Sequence, residues 1–504
     1  MPKIRINGKE VDAPPGVNLL KVCLDNGFFV PHYCWHPGLS PAGNCRMCLV
    51  KVSTSRKLEV SCMITPAEGL EVWTDVPEVK AARKAVLEYL LINHPLDCPI
   101  CDKAGECLLQ DYTHAYRDGH SRFGEEKTIR HTKDLGPGIR IWGNRCISCT
   151  RCVRFCEEVA GTGELCMVQR GDRSVVDVFP GLPIENPISL NVVDICPVGA
   201  LNDKDFLYEA RVWFTREVEG VCPSCSRGCN LKITVLDNEI KRLVARENRA
   251  VNRWWMCDEG RRNFRFVNAP GRLTSGRGSV EEIVDAARRG RLAAVVSAGQ
   301  TIEEMYLFGR LVDALRAGPV GVLTRTEGER RTFPDGFAIE ADKTPNRAYA
   351  ERLFGRETVE KGIRDVAEAL RSGSATGLLV LNALPNLEMP AELVEASRKA
   401  AFVAVGDIQA NPLAESARVV IPGTSWAEKE GTFLNADGRI QRIRKAMEPP
   451  PAARHAIEWL QEALVRAGAR REVLSAEGVF REAMPGLDYS KVGRGGVTID
   501  GRGA

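Results

Sequence analysis

Cysteine is the residue whose spacing in this 504-residue chain most directly implies chemistry. All 18 cysteines lie between Cys23 and Cys257, and 15 of them fall, with one histidine, into four sets with short internal gaps. Such gaps are typical of thiolates that hold metal, and a reducing compartment favours metal over disulfides. Cys156 and Cys166 remain outside the sets, as does Cys23, which is interpreted as a small buried hydrophobe on a helix.

The first set is Cys34-x10-Cys45-x2-Cys48-x13-Cys62. Four thiolates presented mostly from one loop, with Gly43 keeping the backbone small near Cys45, suit a [2Fe–2S] cluster whose sulfides accept backbone N–H bonds. Zinc is the alternative metal, because it also accepts four thiolates. The wide first gap and the single CxxC pair distinguish this set from a zinc ribbon, which has two such pairs.

The second set is His94-x3-Cys98-x2-Cys101-x5-Cys107. In one interpretation His94 only ends the preceding helix, which leaves three cysteines without a fourth ligand. In the other, His94 completes a [4Fe–4S] site. Such a site has one thiolate fewer, so by charge alone its reduction potential is higher than that of an all-cysteine cluster.

The third set opens with Cys-x2-Cys-x2-Cys-x3-Cys over residues 146–156. This run is typical of a bacterial ferredoxin, in which the fourth cysteine binds a second cluster. The returning run ends in Cys196-Pro197, but its three other cysteine positions hold Asn186, Ser189 and Val192. We therefore predict that the second cluster is lost and that Cys156 is unused. One [4Fe–4S] cluster is then held by Cys146, Cys149, Cys152 and Cys196.

The fourth set is Cys222-x2-Cys225-x3-Cys229-x27-Cys257. Zinc is a real competitor here, because a CxxC pair with a distant cysteine is common to both metals. The three preceding sets favour iron and sulfur, so this set is interpreted as a third [4Fe–4S] site. It lies where the composition of the chain changes.

Short elements must present these cysteines. Alternating apolar residues around an Asn-Gly pair predict a β-hairpin over residues 3–11, and residues 18–26 predict a short capped helix. An amphipathic helix is predicted from about residue 77 to 93, where His94-Pro95 ends it. Turns that carry cysteines follow as far as about residue 260.

Beyond residue 270 the chain alternates between strand and helix patterns. Capping boxes at Ser279-Val-Glu-Glu282 and Thr301-Ile-Glu-Glu304 predict helix starts. Strands separated by helices imply a parallel sheet. The predicted strands cover residues 292–297, 319–323, 377–382, 401–405 and 418–421, and the predicted helices cover residues 302–316 and 387–399.

The other features exclude several function classes. A formal net charge of +3 is too balanced to indicate a nucleic-acid partner. The first residues resemble neither a secretory signal nor a transit peptide, and the apolar runs are too short to span a bilayer, so we expect a soluble cytoplasmic protein. No nucleophile with a base, phosphate-binding loop or dinucleotide-binding glycine motif stands out. No catalytic residue is therefore predicted, and no cofactor-binding residue beyond the metal ligands.

The order of these motifs resembles that of a known family, the large iron–sulfur subunit of respiratory complex I (the NuoG-type chain of NADH:quinone oxidoreductase). The resemblance extends over essentially the whole chain. Its most specific part is the run from His94-Pro-Leu-Asp-Cys98 to Leu109-Gln-Asp111, which resembles the family's His-ligated [4Fe–4S] motif and implies that His94 is a ligand. The first set is similar to the family's [2Fe–2S] domain, and Cys196-Pro-Val-Gly-Ala200 to its all-cysteine [4Fe–4S] motif.

The second half also resembles molybdopterin oxidoreductases. Residues 419–439 are similar to a segment that those enzymes share with complex I subunits, and the fourth set is similar to the cluster that lies beside their pterin. Here Asp258-Glu-Gly260 follows Cys257, where the pterin enzymes usually have a lysine, and the α/β region is much shorter. These departures imply that no molybdopterin binds and that the fourth cluster is structural or off the main electron path.

The resemblance implies a multidomain chain of the α+β and α/β classes. The expected domains are a β-grasp [2Fe–2S] ferredoxin-type domain at 1–76, a [4Fe–4S] segment with one histidine and three cysteine ligands at 77–117, a [4Fe–4S] ferredoxin-like domain at 118–215, a [4Fe–4S] domain of the Mo/W bis-MGD type at 216–270, and a degenerate molybdopterin-oxidoreductase-like α/β domain at 271–504.

The function implied by the resemblance is electron transfer within complex I. An NADH- and FMN-binding partner would deliver electrons to the first set, and they would pass through the third and then the second set to quinone-side iron–sulfur partners. The implied cofactors are one [2Fe–2S] and three [4Fe–4S] clusters, and the implied location is the cytoplasmic side of the inner membrane. The alternatives are a subunit of a soluble NAD-linked hydrogenase or formate dehydrogenase, or a zinc-stapled scaffold without redox activity.

Overall fold

The computed structural model describes residues 1–116, 121–169 and 171–499. Two compact units are distinguished. The first comprises Met1–Thr215 with Phe333–Gly336, and the second comprises Arg216–Thr332 with the chain from Phe337 onward. No helix within the described residues is long and apolar enough to cross a membrane.

The first unit begins with a five-stranded sheet and one helix. The predicted hairpin is confirmed, with Asn7 and Gly8 at φ 49° and 84° as its turn requires. The predicted cap is confirmed too, since the Asn18 side chain accepts from the Lys21 N–H at 3.0 Å. The strand order is β2-β1-β5-β3-β4. The elements are β1 (Lys3–Ile6), β2 (Lys9–Asp12), α1 (Leu19–Asp25), β3 (Leu49–Val52), β4 (Glu59–Val60) and β5 (Glu71–Trp73).

Two helices follow, α2 (Pro77–Leu91) and α3 (Leu108–Tyr116). The helix predicted from 77 to 93 ends two residues earlier, just before the His94-Pro95 pair. Arg83 of α2 is fully buried and donates to the carbonyl oxygens of Leu49 at 2.9 Å and Thr74 at 3.0 Å. These bonds join α2 to the first sheet. The predicted domain boundary between residues 117 and 118 lies outside the described residues.

The rest of the first unit contains two small sheets, β10-β7-β6 and β8-β9. The short helix α4 continues as a π-helical turn over Phe155–Ala160. The elements are β6 (Thr132–Asp134), β7 (Ile139–Trp142), α4 (Arg151–Arg154), β8 (Leu165–Val168), β9 (Val175–Val178), α5 (Asn191–Ile195) and β10 (Leu201–Asp203).

The second unit begins with an antiparallel sheet of order β11-β12-β13 and two short helices. This sheet and the first of the helices carry the fourth cysteine set. The elements are β11 (Arg216–Val221), β12 (Asn230–Leu236), β13 (Glu239–Ala245), α6 (Asp258–Arg262) and α7 (Arg265–Asn268).

The α/β region has the predicted parallel sheet, with strand order β15-β14-β18-β19-β20. Both capping boxes are confirmed. The strands are β14 (Leu292–Ser297), β15 (Val320–Leu323), β16 (Arg331–Thr332), β17 (Ala338–Ile339), β18 (Gly377–Leu381), β19 (Phe402–Asp407), β20 (Val419–Pro422), β21 (Gly431–Leu434), β22 (Arg439–Ile443) and β23 (Val497–Thr498).

Helices cover both faces of this sheet, because alternate side chains of its strands enter two apolar cores. Along β14, Ala294 and Val296 belong to one core, and Ala293 and Val295 to the other. The helices are α8 (Val280–Arg289), α9 (Ile302–Leu315), α10 (Arg347–Phe354), α11 (Arg356–Ser372), α12 (Ala391–Ser397), α13 (Pro412–Ser416), α14 (Ala456–Arg466), α15 (Ala476–Ala483) and α16 (Tyr489–Val492). The helix predicted at 387–399 is shorter, since it starts after Pro390.

Candidate metal centres

The first set converges at the end of the small sheet. Cys34, Cys48 and Cys62 are buried, and the backbone N–H of Cys34 donates to Cys45 Sγ at 3.4 Å. Hydrogen bonds from Cys45 and Cys62 hold the pKa of the Cys34 thiol well below its ordinary value. Thiols that hydrogen-bond to one another in this way would release their protons on binding a metal. All four side chains are thus brought together, and they fit a thiolate-bound cluster.

The second set lies between α2 and α3. His94, Cys98 and Cys107 line one cavity of about 1080 Å³. Nδ1 of His94 is buried and has no hydrogen-bond partner within the described ranges. Burial, followed by the charge of Arg145, lowers the pKa of His94 to about 4, so the ring is neutral at pH 7. A neutral imidazole with an unpaired buried nitrogen fits the role of a metal ligand.

The cysteines of the second set differ in exposure. Cys101 and Cys107 are buried, whereas Cys98, on a single 3-10 turn, is exposed. Burial, and to a smaller extent the neighbouring Cys101, raise the pKa of the Cys107 thiol to about 11. The second set therefore reaches the surface of the chain through Cys98.

The third set encloses a cavity of its own. Ser148 and Thr150 have φ of 51° and 61°, which turns the loop around its sulfurs, and the Ser148 N–H donates to Cys146 Sγ at 3.4 Å. Apolar side chains, among them Ile141 and Val198, close the remaining wall. The cavity fits a cluster that is shielded from water, and it is lined by all four predicted cysteines, Cys146, Cys149, Cys152 and Cys196.

The Glu164 carboxylate binds at Asn186, one of the three returning positions that hold no cysteine. Oε1 of Glu164 accepts the backbone N–H groups of Glu185 at 3.0 Å and Asn186 at 3.1 Å, and Oε2 accepts from the Asn186 amide. Cys156 is buried nearby, and burial raises the pKa of its thiol to about 12. The interpretation of Cys23 is confirmed, since it is fully buried in the core of the first sheet.

The fourth set is buried throughout and lies within the second unit. Cys257 caps α6, because its Sγ accepts the Gly260 N–H at 3.2 Å. A Cβ on Gly260 would lie 3.0 Å from Cys222 Sγ and 3.2 Å from Cys257 Sγ, so only glycine leaves this wall of the site open. Burial and the mutual repulsion of the four thiols raise the pKa of Cys229 and Cys257. Such thiols require a compensating cation to ionise.

Sequence spacing did not reveal a lysine at the fourth site. Lys343 is 7% exposed and pairs with Glu259 Oε2 at 2.5 Å. Burial raises the pKa of the Cys225 thiol, and the charge of Lys343 offsets part of that rise. Arg325 lies 3.8 Å from the other oxygen of Glu259. The lysine comes from a loop after β17, more than 80 residues beyond Cys257, so no local motif could have identified it.

Buried arginines join the sites of the first unit, and the motifs did not reveal these either. Arg151 donates to the Trp35 carbonyl at 2.5 Å, beside the first set, and to the Ile195 carbonyl at 3.0 Å, beside the third. Arg154 donates to the Cys34 carbonyl at 2.5 Å. The first and third sets are therefore neighbours.

The second and third sets are neighbours as well. A Cβ on Gly199, which follows Cys196 in the third set, would overlap Cys101 Sγ of the second. The third set thus lies between the first and the second.

No three Cys, His, Asp or Glu side chains in the described parts of the chain are arranged to hold a single metal ion.

Five family models match this chain in the order of its sets. Their descriptions are the 2Fe-2S iron-sulfur cluster binding domain (2–77), the NADH-ubiquinone oxidoreductase-G iron-sulfur binding region (83–122), the NADH-quinone oxidoreductase subunit 3 ferredoxin-like domain (136–202), the molybdopterin oxidoreductase Fe4S4 domain (215–269) and molybdopterin oxidoreductase (286–463). The chain therefore contains [2Fe–2S]- and [4Fe–4S]-binding domains and a molybdopterin-oxidoreductase-like domain.

Curated relatives carry complex I names. The G subunit of NADH-quinone oxidoreductase from Rickettsia conorii is 35% identical over 330 residues, which are 62% of this chain and 49% of the relative. The chain is homologous to that NuoG-type protein. The NADH-ubiquinone oxidoreductase 75 kDa subunit of Reclinomonas americana is 42% identical over 261 residues, 52% of this chain and 38% of the relative. The chain thus spans about half the length of the first of these relatives.

One solved structure is similar over part of the chain. It is the NAD⁺-reducing [NiFe]-hydrogenase in the H2-reduced state, with 28% identity, a TM-score of 0.38, and coverage of 42% of this chain and 91% of that one.

Buried side chains fill the switch point of the parallel sheet in the α/β domain. In a sheet of this strand order a ligand binds at the carboxyl ends of the strands, where the order reverses between β14 and β18. There the buried pair Lys429–Glu304, at 2.7 Å, and Trp459 leave a space of only about 10 Å³.

Proposed function

We propose that this chain is an electron-transfer subunit of an NADH:quinone oxidoreductase of the complex I type. The observation that carries the proposal is the spatial order of the sites in the first unit, where the third set adjoins both the first and the second. Tunnelling requires short distances, and a chain of neighbouring sites provides them. Iron–sulfur clusters supply one-electron transfer, and the residues of this chain hold them, exclude water and adjust their potentials.

The proposed ligand sets are those of the sequence analysis. The first holds one [2Fe–2S] cluster, and the other three, including the His94 set, hold one [4Fe–4S] cluster each. The fourth lies in the other unit, off the proposed path, and no molybdopterin binds. The five predicted domain ranges remain part of this proposal. NADH and quinone chemistry belongs to partners, an FMN-binding subunit and quinone-side iron–sulfur subunits, on the cytoplasmic side of the membrane.

Metal analysis and native purification test this proposal. We expect about 14 iron atoms per chain, two for the [2Fe–2S] cluster and four for each [4Fe–4S] cluster, with EPR signals that appear on reduction. The chain should purify from its source membrane with an FMN protein and membrane-embedded subunits. Zinc without reducible signals would support a scaffold instead, and copurification with a hydrogenase would overturn the complex I assignment.

The His94 ligand has its own test. His94→Cys adds a thiolate, so we expect the reduction potential of one [4Fe–4S] signal to fall while the others stay unchanged. His131→Gln, at an exposed histidine outside the four sets, is the control. An unchanged spectrum and potential in His94→Cys would show that His94 only ends α2.

A further inference from the structure

Arg145 is a buried cation with an unsatisfied donor. Its side chain is 2% exposed, and its Nε donates to Asp97 Oδ2 at 2.9 Å. The guanidinium stacks on Trp142, 4.9 Å from the ring centroid. One terminal nitrogen is buried without a hydrogen-bond partner in the described parts of the chain. A buried donor without a partner costs roughly 1–3 kcal/mol, so this nitrogen is free to donate to an acceptor at its side of the site.

The position of Arg145 is the junction between the second and third sets. In sequence it directly precedes Cys146 of the third set. In space, its Cδ would lie 3.8 Å from a Cβ on Gly199, the same position that Cys101 of the second set closes off. Asp97, its carboxylate partner, directly precedes Cys98 of the second set.

Arg145 faces the second set from a buried position. Its partner Asp97 directly precedes Cys98, and its Cδ and Cys101 Sγ approach the same position at Gly199. Asp97 is 31% exposed and therefore partly screened by water, so it neutralises the guanidinium incompletely. A buried guanidinium therefore lies beside the second site, with a carboxylate partner that water partly screens.

We propose that the buried charge of Arg145 raises the reduction potential of the cluster at the second site. The inference rests on the proposed function, because it requires a cluster bound by the His94 set. A cluster gains negative charge on reduction, and a buried cation beside it stabilises that charge. Arg145 thereby makes reduction of the second cluster easier than it would be without that charge.

Potentiometric EPR titration of the full chain with its clusters tests the proposal. Arg145→Gln should lower the equilibrium constant for reduction of the second cluster about tenfold, which is about 59 mV for one electron. Arg145→Lys keeps the charge and should move it less. Arg140→Gln is the matched control, because Arg140 lies 5.9 Å from the same Trp142 ring but is 39% exposed and pairs with Asp134. It should leave every potential unchanged.

A second substitution should shift the reduction potential in the opposite direction. Asp97→Asn leaves Arg145 uncompensated, so it should raise the potential of the same signal. If Arg145→Gln prevents assembly, the direction seen in Asp97→Asn decides the matter. Bound clusters with no shift in either variant, or shifts of the reverse sign, would overturn the role of Arg145. Absence of the second signal from the unaltered chain would instead overturn the proposed function.

Discussion

The two units hold their cysteines in different ways. In the first unit, the loops of one set form walls of the next: Arg151 donates to carbonyl groups beside two sets, and Gly199 of the third set lies against Cys101 of the second. In the second unit, one buried set is enclosed by its own sheet and by the Lys343 loop. A relay needs sites that lie close together, and shared walls provide this. An enclosed site instead suits a cluster that stabilises its own domain.

The α/β domain extends this contrast. At the carboxyl ends of its parallel strands, where related enzymes bind a ligand, Glu303 and Glu304 are buried beneath Thr432 and Lys429. Each buried carboxylate has hydrogen-bond partners, as burial of a charge requires. Buried, hydrogen-bonded side chains therefore fill this edge of the sheet.

The largest expected effect comes from breaking a shared wall. Gly199→Ala places a methyl group onto Cys101 Sγ, so we expect loss of the cluster at the second site and weakening of the third. Overpacking of this kind costs about 1–3 kcal/mol even where side chains can move, and a metal-bound sulfur can move little. Iron content and EPR signals measure the loss.

Gly124→Ala is the control for that substitution. Nothing lies within 4 Å of a Cβ at Gly124, and its φ is not positive, so the variant should keep all its iron. Gly260→Ala in the second unit should disturb only the fourth signal. If Gly199→Ala keeps the second and third signals intact, the shared wall is not required and the contrast between the units weakens.

Sequence reasoning identified what is local in the chain. The cysteines of each set lie mostly within short windows, so their spacing predicted the groups that the structure brings together. In the same way, apolar strands that alternate with helices predicted the parallel sheet. The helix α11 was missed, although Val359, Val366 and Leu370 recur at helical spacing. Most of its other positions are charged, so the segment as a whole is polar and its apolar face is narrow.

Contacts between distant segments could not be predicted in the same way. Arg145 reads as an ordinary polar residue before Cys146, and nothing in the sequence shows that it lies beside Asp97 and is buried. Lys343 likewise sits in a charged segment that matches no motif. Such residues are selected by tertiary packing, which leaves no fixed spacing, and they are the ones that adjust the electrostatics of each site.

A pH-dependent effect of intermediate size should belong to the second unit. Burial raises the pKa of Glu303 to about 7, although Thr432 and Tyr489 hydrogen-bond to it, the latter at 2.9 Å. The folded state therefore keeps a proton that the unfolded state releases above pH 4.5. Stability from this group is full below pH 4.5 and is lost as the pH rises through about 7, with a total of order 3 kcal/mol.

Denaturant unfolding of the full chain at about pH 5.5 and about pH 8 measures this dependence. Glu303→Gln cannot titrate, so it should flatten the fall in unfolding free energy over that range. Glu357→Gln is the control, because Glu357 is 81% exposed and pairs only with Lys361 across one turn of α11. An equally steep fall in Glu303→Gln would mean that another group accounts for the pH dependence.

The smallest expected effect tests whether the fourth site is adjusted alone. Lys343→Met removes the ammonium beside Cys225 while Arg325 still faces Glu259, so the cluster should become harder to reduce by less than tenfold, or less than about 59 mV. Lys232→Met, at an exposed lysine paired with Glu217, should change nothing. Because the residues around the fourth site belong to the second unit, the other three potentials should stay fixed. A shift that spreads to the first unit's signals would break the contrast between a joined relay and an enclosed site.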